Sequence, residues 1–136
     1  MVLHALACLG GVTVLRQAVG AVAGEVSFAV NSANPTVSTA SREFVAAADG
    51  AAGWEGQVWD RVITVPVTTL DALIARHGRP DFVKIDVEGY EAQVLAGLSS
   101  ALPALSFEFT TIAREVAYDC LHRLEQLGRY RYRAAL

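Results

Sequence analysis

The sequence predicts an α/β fold, built as a doubly wound parallel sheet with helices packed against it. Segments rich in β-branched residues alternate with segments of helical periodicity, and residues 81–110 read as a strand, a helix and a second strand. Such a unit requires two parallel strands and a right-handed crossover. At 136 residues, 53% of them hydrophobic, the chain is long enough for a single domain, residues 1–136, with a substantial core.

The first half of the chain is predicted to contain one helix and three strands. The helix covers residues 2–9, and the strands cover residues 12–19, 25–30 and 62–67. Residues 31–60 are rich in Asn, Ser, Thr, Ala and Gly, which predicts a long surface loop or excursion from the fold. The two tryptophans of this segment, Trp54 and Trp59, either pin it by packing against it or contact a substrate.

In the second half of the chain, Thr69 is a typical N-cap for a helix over residues 70–77, which Gly78 and Pro80 end. The remaining predicted elements are a strand over residues 81–86, a helix over 90–102, a strand over 104–110 and a helix over 112–127. Arginine and tyrosine alternate in residues 129–133, RYRYR. This pattern favours an edge strand with one basic face over a surface that stacks single-stranded nucleic acid.

The charge and cysteine content exclude several classes of function. A net charge of −3 and a pI near 5.5 leave no basic face for nucleic acid. The two cysteines, Cys8 and Cys120, are far apart in sequence and have no Cys-x-x-Cys spacing, so neither a zinc site nor a disulfide framework is indicated. We expect both to be buried, reduced thiols.

The apolar N-terminal stretch resembles a signal peptide only superficially. No Lys or Arg precedes the apolar run, Arg16 interrupts it, and it is too short to span a membrane as a helix. We therefore expect a cytoplasmic protein that does not insert into a membrane.

The strand over residues 81–86 carries charge in an otherwise apolar sequence. Period-two alternation places Lys84 and Asp86 on one side of the sheet together with Phe82. A buried ammonium and a buried carboxylate compensate each other, whereas either alone would cost several kcal/mol. The sequence therefore predicts a compensated, buried pair at the end of the strand, where ligands bind in open α/β sheets.

Further carboxylates follow the two parallel strands. Asp86 and Glu108 are expected at the same edge of the sheet, where they could bind a hard metal ion or act as acid and base. Alternatively, Glu108 pairs with Lys84 and has a structural role. Gly89 allows a close approach of the backbone, and Glu88 and Glu91, near the start of the following helix, either belong to the site or only cap that helix.

Residues 69–98, TLDALIARHGRPDFVKIDVEGYEAQVLAGL, closely resemble the signature of the FkbM family of S-adenosylmethionine-dependent methyltransferases. Weaker likenesses to the family cover residues 12–30, 38–44, 102–109 and 120–130. The resemblance implies a Rossmann-like class I methyltransferase fold and transfer of a methyl group to a hydroxyl of a sugar or natural-product scaffold. The implied acceptor is a small molecule or saccharide, with neither nucleic acid nor membrane as partner; formation of a homo-oligomer is left open.

The resemblance also implies roles for individual residues. Asp86 would lie nearest the transferred methyl group, and Asp86, Glu88 and Gly89 would contact S-adenosylmethionine. Asp86, Glu108 and Lys84 would be the catalytic residues. A divalent metal ion held by Asp86 and Glu108 is left open.

The family's opening pattern, which resembles "DvGAniG" followed by an acidic "fEP", has no counterpart in this sequence. The nearest substitute, GAVAG at residues 20–24, is followed by a strand-like segment rather than the helix of a dinucleotide loop. We therefore expect a methyltransferase fold that is incomplete at the N-terminus and lacks most of the cofactor cradle.

Two other functions were weighed against methyl transfer. The first is a catalytically inactive α/β module, derived from a methyltransferase and used for binding or assembly, which the missing cradle favours. The second is a metal-dependent hydrolase using Asp86 and Glu108, which is disfavoured because the histidines are scattered along the chain.

Overall fold

The computed structural model describes residues 11–134 of the chain. The predicted helix over residues 2–9, and Cys8 with it, lie outside the described residues. The strands are β1 (Ala18–Val19), β2 (Gly24–Val30), β3 (Arg61–Thr68), β4 (Val83–Ile85) and β5 (Leu105–Phe107). The α-helices are α1 (Arg42–Ala48), α2 (Leu70–His77), α3 (Glu91–Ala96) and α4 (Arg114–Leu127), with 3₁₀ turns at Pro35–Val37 and Thr111–Ala113.

The first sheet contains three strands in the order β1, β3, β2. The strand β1 is parallel to β3, whereas β2 and β3 pair in antiparallel register from Gly24 opposite Val67 to Val30 opposite Arg61. The predicted strand over residues 12–19 is wrong in length, because only its last two residues pair with β3. Residues 12–17 are exposed or half-buried, and they pair with no strand of the described part of the chain.

The second sheet is the predicted strand, helix and strand unit. The strands β4 and β5 pair in parallel, with Lys84 opposite Ser106 and Ile85 opposite Phe107, and α3 connects them. This confirms the βαβ unit. Both strands are shorter than predicted, and α3 ends at Ala96 rather than near residue 102.

The fold is a mixed α/β structure, but the predicted single doubly wound sheet is not what the described residues form. Their strands make two separate sheets. The free edge of β1 and the free edge of β4 both border one cavity, described below, and no strand among residues 11–134 lies between them.

The largest apolar cluster packs α3 and α4 against β4 and β5. Each residue of this cluster has more than nine-tenths of its surface buried. The members are Leu70, Ile85, Val94, Leu95, Leu98, Leu102, Cys120 and Leu124. Burial of side chains of this size, roughly 1.5–3 kcal/mol each for the aliphatic ones, is what holds α4 in place. Cys120 is a buried free thiol, as predicted, and burial raises its pKa to about 12.

The two sheets meet where α3 ends. Gly97 packs so closely against Gly20 that a Cβ atom at position 97 would overlap the Gly20 carbonyl oxygen. Its own carbonyl accepts a hydrogen bond from Asp71 N at 3.1 Å, and the Asp71 carboxylate accepts one from Ser99 N at 3.0 Å. The end of β1, the start of α2 and the end of α3 are therefore tied together at one point.

Residues 31–60, called the excursion below, are not only a loop. They contain a 3₁₀ turn and α1, whose N-cap Ser41 accepts a hydrogen bond from Phe44 N. Both tryptophans pack edge-to-face on the ring of Phe44, with centroids at 5.0 Å for Trp54 and 6.3 Å for Trp59. These contacts match the interpretation that the excursion is pinned by its own tryptophans.

The C-terminal part of the described chain follows the prediction up to Gly128, which ends α4. The predicted edge strand over residues 129–133 is wrong, because these residues form no ladder. Instead Tyr130 packs against the core cluster, and its hydroxyl oxygen accepts a hydrogen bond from Leu102 N at 2.8 Å. In the described part of the chain, no helix is long and apolar enough to cross a membrane.

We predict that Gly97→Ala lowers the free energy of unfolding by about 1–3 kcal/mol, since the added methyl group has no room beside Gly20. Position 97 has a φ of −84°, which alanine adopts readily, so the cost is steric. Urea unfolding measures it, and Gln93→Ala on the exposed side of α3 is the control. Equal stability of the two variants would contradict this packing.

Candidate functional site

The candidate site lies at the carboxyl ends of β4 and β5. Asp86 follows β4 and Glu108 follows β5, and Glu108 N continues the ladder by donating to the carbonyl of Ile85 at 3.0 Å. A small cavity of about 10 Å³ lies at this edge. The residues that can contribute polar side-chain atoms to its wall are Asp86, Glu88, Glu91, Glu108 and Thr110. This acidic cavity is about the size of one water molecule.

Lys84 and Asp86 form an ion pair, but they are not buried. Lys84 Nζ lies 2.6 Å from an Asp86 carboxylate oxygen, and the side chains are 63% and 40% exposed. The prediction of a buried pair is therefore wrong. It assumed that both faces of β4 are covered, whereas Ile85 faces the core and the face of Lys84 is open to solvent. The alternative pairing of Lys84 with Glu108 is not formed.

The turn after β4, residues 87–89, has an unusual backbone. Glu88 has a φ of 51° and Gly89 a φ of 85°, so two consecutive residues are left-handed. Glycine adopts this conformation freely, but for glutamate it costs about 1–3 kcal/mol and persists only where neighbours enforce it. We call these three residues the strand-end turn.

Glu91 supports the strand-end turn from the side of α3. It is only 2% exposed, and its Oε1 atom accepts hydrogen bonds from Val87 N at 3.2 Å and Gly89 N at 3.3 Å. Its second oxygen, Oε2, is buried without a partner, and so is the hydroxyl oxygen of Thr110 on the same cavity. Glu91 therefore bonds the turn that precedes α3 and does not cap the helix, whose N-cap Tyr90 makes no side-chain hydrogen bond.

A second, larger cavity of about 480 Å³ lies between the free edges of β1 and β4. Its wall is largely apolar, with polar groups contributed by Gln17, Ser38, Lys84 and Asp86. The volume is in the range typical of small-molecule sites. Asp86 lines both this cavity and the acidic cavity, so it is the residue at which the two meet.

Comparison with known proteins supplies the family. The family model described as the methyltransferase FkbM domain matches residues 6–134, nearly the whole chain. The chain belongs to the FkbM methyltransferase family. No curated protein and no solved structure matches it.

Within this FkbM domain, the carboxylates of the edge repel one another. Burial raises the pKa of Glu88, and the neighbouring charges of Asp86, Glu108 and Glu91 raise it further. Burial also raises the pKa of Glu91, against the opposing effect of its backbone hydrogen bonds. The hydrogen bond and the charge of Asp86 raise the pKa of Lys84, which therefore stays protonated. Both glutamates thus hold a proton to a higher pH than an exposed glutamate does.

The residues predicted for the site come together at the acidic cavity. The acidic cavity is lined by Asp86, Glu88, Gly89 and Glu108. Lys84 does not line it, but its ammonium group donates a hydrogen bond to the Asp86 carboxylate. Among residues 11–134, no three His, Cys, Asp or Glu side chains are arranged to hold a metal ion. The suggestion that Asp86 and Glu108 bind a metal stays a prediction.

Three residues of the site were missed by sequence reasoning. Glu91 was recognised only as an acid near a helix start, although its place two residues after Gly89 allows it to bond the turn's amides. Thr39 donates to the carbonyl of Glu88 at 2.7 Å, and Phe44 packs on Gly89. Both belong to the excursion, and no local pattern connects them to a turn more than 40 residues away.

We predict that Glu91→Gln removes part of the pH dependence of stability. Below the ordinary glutamate pKa of 4.5, Glu91 is protonated in the folded and the unfolded chain. As pH rises above this value, the unfolded chain loses the proton first, so the wild-type protein loses stability until the raised native pKa is passed. Glutamine keeps an acceptor for both amides and cannot ionise.

The measurement is urea unfolding at several pH values from 4 to 8. The stability of Glu91→Gln relative to the wild type should grow as pH rises, and then level off. Glu115→Gln is the control, because Glu115 is also in the first turn of a helix but is exposed. A constant difference between Glu91→Gln and the wild type across this range would show that Glu91 titrates normally.

Proposed function

We propose that this domain has a Rossmann-like methyltransferase fold and transfers a methyl group from S-adenosylmethionine to a hydroxyl oxygen of a sugar or natural-product acceptor. The observation that carries the proposal is the meeting of Asp86 and Glu108 at one strand edge in a chain of the FkbM methyltransferase family. Ligand sites in open α/β folds lie at such carboxyl ends of strands.

The described residues fit S-adenosylmethionine in size and charge. The cavity between β1 and β4 has the volume of a ligand site, and Asp86 brings a carboxylate to its wall. Asp86 is proposed to contact the cofactor at this wall, and Glu88 and Gly89, proposed for the same role from the family resemblance, line the adjoining acidic cavity. Bound there, S-adenosylmethionine would supply an electrophilic methyl group on a positively charged sulfur.

The chain's own residues would then prepare the acceptor. Asp86 and Glu108 lie where an acceptor hydroxyl group could be held at the edge of the sheet, and either carboxylate could accept a hydrogen bond from this hydroxyl and take up its proton. Lys84 fixes the direction of the Asp86 carboxylate through the 2.6 Å ion pair. Much of the acceleration in such a reaction comes from holding the reacting groups in line.

A non-catalytic binding or assembly module is the second candidate. The connection from β1 to β2, residues 20–23, leads into a strand and not into a helix. It therefore offers no helix N-terminus for a cofactor, which is the usual device of nucleotide-binding turns.

We expect calorimetric titration with S-adenosylmethionine to show micromolar binding to the wild-type chain, and Asp86→Ala to weaken it by roughly tenfold or more. The variant should also lose methyl transfer, followed as S-adenosylhomocysteine formed with a panel of hydroxylated acceptors. Because the Lys84 pair is exposed, Asp86→Ala should change the free energy of unfolding by less than about 1 kcal/mol.

Asp119→Ala, on the exposed side of α4, is the matched control for this titration. Wild-type affinity and transfer in Asp86→Ala would remove Asp86 from the mechanism. The absence of heat with the wild-type chain at millimolar cofactor would favour the binding module instead.

A further inference from the structure

The strand-end turn is held from two sides, and one of them is the excursion. Glu91 accepts from the amides of Val87 and Gly89, whereas Thr39 donates its hydroxyl to the carbonyl of Glu88 at 2.7 Å, with a longer contact to the carbonyl of Val87 at 3.4 Å. The amides and the carbonyls of the turn are thus bonded by different parts of the chain.

Thr39 is built into the fold as a rigid link. It is fully buried, and its backbone pairs with Ala29 in β2 through two hydrogen bonds of 2.7 and 2.9 Å. Its hydroxyl oxygen also accepts from Ser41 N at 2.9 Å, next to the start of α1. The hydroxyl group therefore acts both as a donor and as an acceptor of hydrogen bonds. Through these bonds Thr39 connects the first sheet directly to the strand-end turn.

Phe44 fills the space that a side chain at position 89 would occupy. A Cβ atom added to Gly89 would lie 2.8 Å from the Phe44 side chain, and Phe44 is 1% exposed. Trp54 and Trp59 pack edge-to-face with the same ring. The aromatic residues of the excursion, Phe44, Trp54 and Trp59, therefore contact the Gly89 backbone through the Phe44 ring.

We propose that Thr39 and Phe44 are positioning residues: they hold Glu88 in its left-handed conformation, and so direct its carboxyl group to the acidic cavity beside Asp86 and Glu108. This inference rests on the proposed function, since it gives the excursion a role in shaping that site. Neither residue lines the acidic cavity or the cavity between β1 and β4, so they act on the proposed site through the turn.

Thr39→Val tests this link, because valine keeps the shape of threonine and removes the hydroxyl group. Released from Thr39, the turn should relax and carry the Glu88 carboxyl towards solvent, away from Asp86, Glu108 and Glu91. The titration of Glu88, followed by carbon-detected NMR of its carboxyl group, should then shift down towards that of an exposed glutamate. The substitution does not touch the ion pair of Lys84 with Asp86, so the charge of Lys84 should affect the Glu88 titration equally in the wild type and in Thr39→Val.

Two variants complete the set. Thr39→Ser keeps the hydroxyl group and should restore the wild-type titration of Glu88. Thr36→Val is the matched control, because Thr36 lies in the same segment, is exposed and bonds only to Asn34 within the excursion. With S-adenosylmethionine as the probe, binding should weaken by roughly tenfold or more in Thr39→Val and stay unchanged in Thr36→Val.

If folded Thr39→Val titrates at Glu88 like the wild type, the proposal is overturned, whatever its stability. If Thr39→Val does not fold, Phe44→Leu decides the question, since it leaves an apolar side chain under Gly89 but removes the ring; an unchanged Glu88 titration there also rejects the proposal. If the wild-type chain binds no S-adenosylmethionine, the proposed function fails for this chain. The Glu88 titrations still decide whether Thr39 and Phe44 position the turn.

Discussion

The contact between Gly97 and Gly20 is the constraint on which the rest of the described structure depends. The two sheets share no strand pairing, so their relative position rests on this approach of two backbones, on side-chain packing and on hydrogen bonds such as that from Thr39 to Glu88. It places Tyr90, at the start of α3, within 4 Å of where a Gly20 side chain would begin. The free edges of β1 and β4 consequently border one cavity of about 480 Å³, and Asp86 stands at its wall.

The charged groups at the edge of this cavity differ in their exposure to solvent and in their partners. Lys84 and Asp86 remain largely in water, where a close ion pair costs little desolvation. Glu91 is buried, and two backbone amides bond one of its oxygens while burial favours its protonated form. Glu88 lies between these cases, half-buried among three other carboxylates. The site therefore combines an exposed acid paired with Lys84 and two acids whose pKa values are raised.

Local signals predicted the parts of the fold that local interactions form. The helix α2 begins and ends where its threonine cap and Gly78 indicate, and β3 lies within one residue of the predicted strand at each end. The βαβ unit and the meeting of Asp86 with Glu108 follow from parallel pairing alone. The helix α1 was not predicted, because the loop-forming residues of segment 31–60 indicate a loop. Its local signal is Ser41, an N-cap residue that precedes seven residues with several helix formers. The exposure of Lys84 and the two-sheet arrangement depend on which elements cover β4, and periodicity within one strand carries no information about that.

The excursion shows why such long-range features matter for the site. A left-handed glutamate is a strained element, and its own neighbours in sequence supply only Glu91 to hold it. The carbonyl side of the turn is bonded by Thr39, which is 49 residues away from Glu88 and is itself anchored to β2. Because β2 belongs to the first sheet and the turn follows a strand of the second, this hydrogen bond joins the two sheets. The geometry of the carboxylates is therefore a property of how both sheets are docked, and a segment that resembles a surface loop in sequence acts as a structural part of the site.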